Sequence, residues 1–145
     1  MSQQGMNAYR RTEVESRTSL ELVVMLYDGA LRFLDVTRDG IARRDIRARR
    51  DGVSRLLAII SELQSTLDVE RGGDVATSLN ALYAYATERV VEATVRNDTA
   101  PLDEVRKILE TLRDGWQTIA RAPAVDPAVA ARVDRRADAP QERTR

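Results

Sequence analysis

The chain has 145 residues, enough for one domain with a buried core, and its 43% apolar and 32% charged residues are typical of a soluble globular protein. It contains no cysteine and no histidine, which excludes disulfides, metal sites built on either residue, and catalysis by a thiol or an imidazole. Because 23 acidic residues balance 23 basic ones, no net charge attracts the protein to nucleic acid or to an anionic membrane.

Four segments with apolar residues at helical spacing follow one another along the chain, and none of them alternates as a strand would. The first is predicted to begin at Thr18, where Thr18 and Glu21 fit a capping box, and to end near Gly40. The second follows Asp45, a good N-cap, and is predicted to end near Arg71.

The third segment is predicted to begin at Asp74, after a glycine pair that allows left-handed backbone, and to end near Asn97. The fourth begins near Pro101 and ends before Pro123. Short loops make successive helices antiparallel neighbours. We therefore expect an all-α fold, an antiparallel up-down-up-down four-helix bundle, over residues 18–121.

Both ends of the chain lack a continuous apolar stripe. Residues 1–17 are expected to be a flexible N-terminal segment, and residues 122–145, with three prolines, a disordered tail. The longest apolar runs, Leu22–Tyr27 and Leu56–Ile60, are far shorter than the ~20 residues of a membrane-spanning helix, and the N-terminus lacks the apolar stretch of a secretory signal. We expect a cytoplasmic protein with no stable membrane insertion.

The first predicted helix has two apolar stripes, whereas the second and the fourth have one each. Its second stripe consists of Leu22, Met25, Leu26, Gly29, Phe33 and Val36. Either this helix is the most enclosed element of the bundle, or the second stripe is a surface that binds an amphipathic helix of a partner. A glycine inside a helix costs ~1 kcal/mol relative to alanine, so Gly29 indicates a close approach of some group to this face.

Two other features stand apart from the predicted core. The third helix has a shallower second stripe, formed by Ala81, Ala84, Val91 and Val95. Five arginines cluster within residues 43–50, and nucleic-acid contact is one interpretation of such a cluster. No aromatic residue interleaves it, and Asp45 and Asp51 dilute its charge, so a solvated helix start is the favoured interpretation.

The remaining residue types offer little for catalysis. The carboxylates lie on an outward strip of the first helix or in the first turn of the fourth, where solvation and the helix dipole explain them. The sequence contains neither a phosphate-binding glycine motif nor the inward Glu-x-x-His pairs of di-iron bundles. We expect no enzyme activity, no cofactor and no metal.

Several strings occur together in a specific order: Met25–Leu34, Ile60–Asp68, the glycine pair 72–73, and Leu79–Tyr83, with Tyr9 and Val14 before them. Over about residues 8–120 the chain closely resembles the FliS family of bacterial flagellar secretion chaperones. It departs from the family pattern after Tyr83, where the helix face is smaller and less basic than usual. It also departs at Gly52 and Gly115, where alanine is expected and where glycine should soften the helices.

The resemblance implies a bundle that binds the disordered C-terminal region of flagellin, prevents premature polymerisation, and delivers its client to the flagellar type III export gate. It also implies that the N-terminal segment, with Tyr9 and Val14, covers the client surface and serves docking at the gate. Together with the second stripes, it gives the predicted client-binding residues: Leu22, Met25, Leu26, Phe33, Ile59, Ala84, Tyr85, Val91 and Val95.

Two other functions stay open at this point. The bundle could self-associate through the second stripe of its first helix, or act as a regulatory adaptor that binds an acidic partner through the arginines of residues 43–50. We expect flagellin and the export gate to be its partners and nucleic acid not to be one. Without a partner, the protein is expected to be a monomer or a weak dimer.

Overall fold

A computed structural model of the protein describes the backbone of residues 3–121 and the side-chain environment of residues 19–121, with Gly5 and Asn7 before them. Over the described backbone the chain forms four helices and no strand: α1 (Gln3–Arg43), α2 (Ile46–Ser65), α3 (Val69–Arg96) and α4 (Ala100–Arg121). Each helix packs against its neighbours in the chain, and α4 returns to α1, so the four close into a ring. The all-α four-helix bundle predicted from the sequence is confirmed.

The start of α1 differs from the prediction. The helix begins at Gln3, so Thr18 lies inside it and the predicted capping box does not start a helix. Residues 3–17 are rich in good helix formers and contain no proline, which lets the packed part of α1 extend toward the N-terminus. The side chains of Tyr9 and Val14 lie outside the described residues, as does the tail 122–145; the flexibility of the first and the disorder of the second stay predictions.

Side-chain caps set the later helix starts. The Asp45 carboxylate accepts a hydrogen bond from the Ala48 N–H at 3.1 Å, as predicted for the N-cap of α2. In the same way, the Asp68 carboxylate accepts from the Arg71 N–H at 3.2 Å, so α2 ends at Ser65, earlier than predicted, and α3 begins before the glycine pair. Gly73, with φ 53° and ψ −130°, then interrupts α3, and its positive φ confirms the left-handed backbone expected there.

The core is formed by the predicted apolar stripes, one from each helix. Its fully buried members are Tyr27, Ala30, Leu34, Leu56, Ile60, Ala86, Val90, Ala93, Leu102, Val105 and Leu109. Tyr27 of α1 and Tyr83 of α3 form a buried hydrogen bond between their hydroxyl groups. This bond joins two helices that are not neighbours in the ring, so it crosses the middle of the bundle.

Acidic residues of α1 pair with arginines of α4. Asp28 pairs with Arg113 and Asp35 with Arg106, and a third ion pair runs the other way, from Arg38 to Asp103. A step of seven residues forward on α1 corresponds to a step of seven backward on α4, as antiparallel packing requires. The acidic strip expected to be simply solvated therefore lies along a contact between helices.

The two glycines that depart from the family pattern have different surroundings. A Cβ added at Gly52 would lie 2.6 Å from the Thr37 hydroxyl and 2.8 Å from the Thr37 backbone nitrogen, so α2 needs a glycine to pack against α1. The expectation of alanine at Gly52 is therefore wrong for this packing, while the softening of the helix stays a prediction. A Cβ added at Gly115 would have no atom within 4 Å.

We predict opposite effects of alanine at these two glycines. Gly115→Ala should raise the free energy of unfolding by ~0.5–1 kcal/mol, because alanine loses less backbone entropy in a helix. Gly52→Ala should lower it by ~1–3 kcal/mol through overpacking against Thr37. Urea denaturation of both variants checks this, and equal effects of the two substitutions would contradict the packing described.

The buried tyrosine pair predicts a loss of stability at alkaline pH. Burial above all, and then the hydrogen bond with Tyr83, raises the pKa of Tyr27, and burial also raises the pKa of Tyr83. Both tyrosines have a higher pKa in the folded state than the ~10 of the unfolded chain. The contribution of the protonated pair to the free energy of unfolding is therefore complete below pH ~10 and decreases as the pH rises further. Urea midpoints measured from pH 8 to 11 should fall above pH ~10, and the fall should be smaller in Tyr27→Phe/Tyr83→Phe. If the urea midpoint of the double variant falls as much as that of the wild type, other groups cause the loss of stability.

Candidate functional site

A groove of about 790 Å³ opens between α1 and α2. Five of the predicted client-binding residues line it: Leu22, Met25, Leu26 and Phe33 from α1, and Ile59 from α2. The lining is completed by Ser19, Val23, Gly29, Arg32, Glu62, Thr66, Leu67, Tyr83 and Trp116. The structure therefore brings the second stripe of α1 and the edge of the α2 stripe together in one concave surface, called here the α1–α2 groove.

The groove has an exposed rim and a half-buried floor. Leu22 and Met25 are 54% and 65% exposed, although both are large and apolar. Leu26, Phe33 and Ile59 are partly buried and pack against the core. Of the two explanations for the second stripe, full enclosure of α1 is thus wrong for its rim residues, while the floor residues combine packing with access to the groove.

Gly29 has a specific partner in the groove floor. A Cβ added at Gly29 would lie 3.2 Å from the Cδ1 atom of Ile59, a tight contact. The close approach that this glycine indicated in the sequence is therefore made by α2 of the same chain. Both residues line the groove, so this contact between the two helices is part of its floor.

Charged groups lie at the groove as well. The guanidinium groups of Arg32 and Arg55 lie 5.4 Å and 5.3 Å from the centroid of the Phe33 ring, within the range of a cation–π contact. Arg32 and Glu62 are both part of the lining, one on each helix. An apolar groove with opposite charges on its two walls can orient an amphipathic ligand as well as bind it.

The four predicted residues of α3 lie elsewhere. Ala84, Tyr85, Val91 and Val95 are exposed, with Val95 at 76%, but none of them lines the α1–α2 groove. Helix α3 packs against α2 and α4, so its outward face is separate from the groove. The nine predicted residues therefore form two surfaces.

Tyr85 is engaged toward α4. Its hydroxyl donates to the Glu104 carboxylate at 2.5 Å, and Arg89 pairs with the same carboxylate at 3.0 Å. The Tyr85 hydrogen bond, followed by the charge of Arg89, lowers the pKa of Glu104. Tyr85 is thus exposed overall, while its hydroxyl has a partner on α4.

Sequence reasoning missed several residues of the groove. The position of Trp116 on the apolar stripe of α4 is typical of a core residue, yet Trp116 is half-buried and lines the groove beside Tyr83 and Leu67. The signal was present, since Trp116 lies at the end of the α4 stripe, but only the packing of α4 against α1 places it at this opening. The remaining two predicted site residues, Tyr9 and Val14, have side chains outside the described residues.

Neither a metal-binding cluster nor a membrane-spanning helix is found among the described residues. Across residues 19–121 no group of three or more acidic residues is placed to hold a metal ion. None of the described helices is both long and apolar enough to cross a membrane. What the site offers is apolar surface in a groove of the size that accepts side chains from an amphipathic helix. Fold and groove together define a helical-bundle protein with an exposed apolar groove between α1 and α2.

Comparison with known proteins identifies the family. The sequence model described as "Flagellar protein FliS" matches residues 1–123. The flagellar secretion chaperone FliS of Salmonella typhimurium is 34% identical over 120 residues, covering 79% of this chain and 89% of that protein. The chaperone FliSB of Pseudomonas aeruginosa is 34% identical over 119 residues, covering 79% and 94%. FliS of Bacillus subtilis is 34% identical over 110 residues, covering 76% and 81%.

The chain belongs to the FliS family of flagellar secretion chaperones. This confirms the resemblance found in the sequence and supports a role as a chaperone of flagellar export.

Proposed function

We propose that this protein is the cytoplasmic export chaperone of flagellin. It binds the disordered C-terminal region of flagellin, prevents premature polymerisation, and delivers its client to the export gate of the flagellar type III apparatus. The observation that carries the proposal is the exposed apolar rim of the α1–α2 groove, with Leu22 and Met25 more than half exposed. Removing apolar surface from water is favourable by ~25 cal/mol per Å², so burial of this rim by a partner would contribute to binding.

The shape of the groove favours a helical client. An amphipathic helix presents apolar side chains at positions i, i+3, i+4 and i+7, and these would enter the groove between α1 and α2. A disordered segment has to become ordered when it binds, and that cost of ~2–5 kcal/mol limits the affinity. Limited affinity suits a chaperone that has to release its client.

The outward face of α3 supplies a second contact in this proposal. Val91 and Val95 would bind another part of the same flagellin segment, beside Ala84 and the Tyr85 ring. Since this face is separate from the groove, the client has to pass around the bundle to reach both. A disordered chain can do this, because it wraps a large surface as it folds.

The groove test uses apolar residues matched in exposure. Met25→Asp and Leu22→Asp place a charge on the groove rim, and Ile119→Asp places one on a residue of α4 that is also 54% exposed but outside the groove. The first two should weaken binding of the flagellin C-terminal region by more than tenfold, ~1.4 kcal/mol, with little change in unfolding free energy. Isothermal titration calorimetry and urea denaturation measure the two quantities.

Two outcomes would contradict this part of the proposal. If Ile119→Asp weakens binding as much as Met25→Asp does, the effect is not specific to the groove. If the wild-type chain is instead a stable dimer in size-exclusion chromatography, and Met25→Asp makes it monomeric without affecting flagellin, the groove mediates self-association. Val95→Asp in the same titration decides whether α3 contributes.

The N-terminal segment is proposed to cover the client surface. The segment carries Tyr9 and Val14. In the structure its backbone forms the first turns of α1, the helix whose later residues Leu22 and Met25 are exposed at the groove. To lie on the groove, these turns have to fold back near residue 18. Such a cover competes with flagellin, and Tyr9 would also serve docking at the export gate.

Deletion of residues 1–16 tests the cover. The bundle should stay folded, and its affinity for flagellin should be equal or higher by up to ~10-fold, because a cover in place nine-tenths of the time lowers apparent affinity by that factor. Flagellin export in cells should nevertheless decrease, and Tyr9→Ala should reproduce the decrease without weakening flagellin binding. A clearly weaker affinity after deletion would make the segment part of the binding site instead of its cover.

A further inference from the structure

The turn between α1 and α2 forms a second exposed surface, distant along both helices from the groove. Ile46, the first residue of α2, is 61% exposed. It lies between two open hollows, one lined by Arg44 and Arg49 and the other by Arg47 and Arg50. We call Arg44, Ile46, Arg47 and Arg50 the turn patch.

The arginines of the turn patch lack acidic partners. No described carboxylate pairs with Arg44, Arg47 or Arg50, although most other described arginines form ion pairs with acidic side chains. Nearby acidic groups are already engaged: the Asp45 carboxylate caps α2, and Asp51 pairs with Arg55 at 3.2 Å. The positive charge of the turn patch is therefore available to another molecule.

Two local features run against what folding alone favours. Arg44 has φ 57°, a left-handed conformation that glycine adopts without steric cost and that is uncommon for a long side chain. The first turn of α2 has no acidic residue and carries Arg47 and Arg49 at the positive end of the helix dipole, where cations are unfavourable. The left-handed turn itself ends α1, because the Asp45 N–H donates to the Gly40 carbonyl at 2.9 Å, but glycine is the usual residue at such a position. Arginine at these positions is therefore not what helix formation favours.

We propose that the turn patch binds an acidic peptide segment of another protein, with an apolar side chain of that segment placed on Ile46. Carboxylates complement the three unpaired guanidinium groups, and an apolar side chain would bury Ile46. The segment 122–145 of this chain lacks the negative charge that the patch would bind, because it contains five arginines against four acidic residues. A nucleic acid is disfavoured, since the patch has no aromatic side chain to stack on bases.

The proposal is independent of the flagellin site. The patch residues lie outside the α1–α2 groove, so both surfaces can be occupied at once. A partner bound here would stay attached while flagellin binds or leaves. Met25→Asp, which tests the groove, should leave peptide binding at the turn patch unchanged.

The test uses the full chain and a synthetic peptide with one leucine among aspartate and glutamate residues, followed by fluorescence anisotropy. Arg47→Gln/Arg50→Gln should weaken binding about tenfold, since each exposed ion pair contributes several-fold. Arg71→Gln/Arg121→Gln, which removes the same charge at exposed positions elsewhere, should change the affinity less than about twofold. Ile46→Ser should weaken it as well, and raising the salt concentration should weaken all of these complexes.

Arg44→Gly keeps the test informative if other variants unfold. Glycine fits φ 57°, so this substitution should preserve the melting temperature while it weakens binding of the peptide. The proposal is overturned if the peptide with asparagine and glutamine in place of its acids binds equally well, or if the distant double variant is equally impaired. It is also overturned if a single-stranded oligonucleotide or phosphatidylglycerol vesicles, but not the acidic peptide, bind through Arg47 and Arg50.

Discussion

Helix α1 carries apolar side chains on two of its faces, and a ring of four helices gives it only two neighbours to cover them. The face with Tyr27 and Leu34 is fully buried, and the face with Leu26 and Phe33 is covered in part by α2. What remains exposed is the rim formed by Leu22 and Met25. The groove is therefore a direct consequence of placing a two-faced helix in a single layer of four, and client binding in our proposal completes the burial that the fold leaves unfinished.

Ion pairs line the contact between α1 and α4. Ion pairs such as Asp28–Arg113 and Asp35–Arg106 hold the antiparallel register of α1 and α4 along their contact. Each of these surface pairs contributes little to stability by itself, but together they set which side chains meet. On the other side, Gly52 lets α2 approach Thr37, while nearer the N-terminus Ile59 occupies the space above Gly29. The two helices pack closely at one end and leave the groove at the other.

Local signals made part of this structure predictable. The N-cap of α2 at Asp45 and the positive φ at Gly73 depend on a few adjacent residues, and both were predicted correctly. The two stripes of α1 also identified the apolar residues of the groove that lie on that helix, though not Ser19 or Arg32. The start of α1 at Gln3 was not predicted, because residues 3–17 have no apolar stripe of their own and continue the helix that is packed further along the chain.

Features that depend on distant residues could not be read from one helix. Trp116 looks like an ordinary core residue on the α4 stripe, and only the position of α1 shows that it borders an opening. In the sequence, Gly52 is only a poor helix former; its close contact with Thr37 of α1 depends on how the two helices pack. The outward face of α3 also has a second apolar stripe, yet none of its predicted residues lines the α1–α2 groove, so periodicity alone does not show which exposed stripe lines this groove.

The central claim, that flagellin binds in the α1–α2 groove, can be tested directly with methionine methyl groups. The chain contains only three methionines, so a protein labelled with ¹³C at the methionine methyl groups gives few resonances, and Met25→Leu identifies that of Met25. On titration with the C-terminal region of flagellin, the Met25 methyl resonance should shift or broaden and saturate at one equivalent. A Met25 resonance that stays unchanged while calorimetry shows full binding would contradict the account.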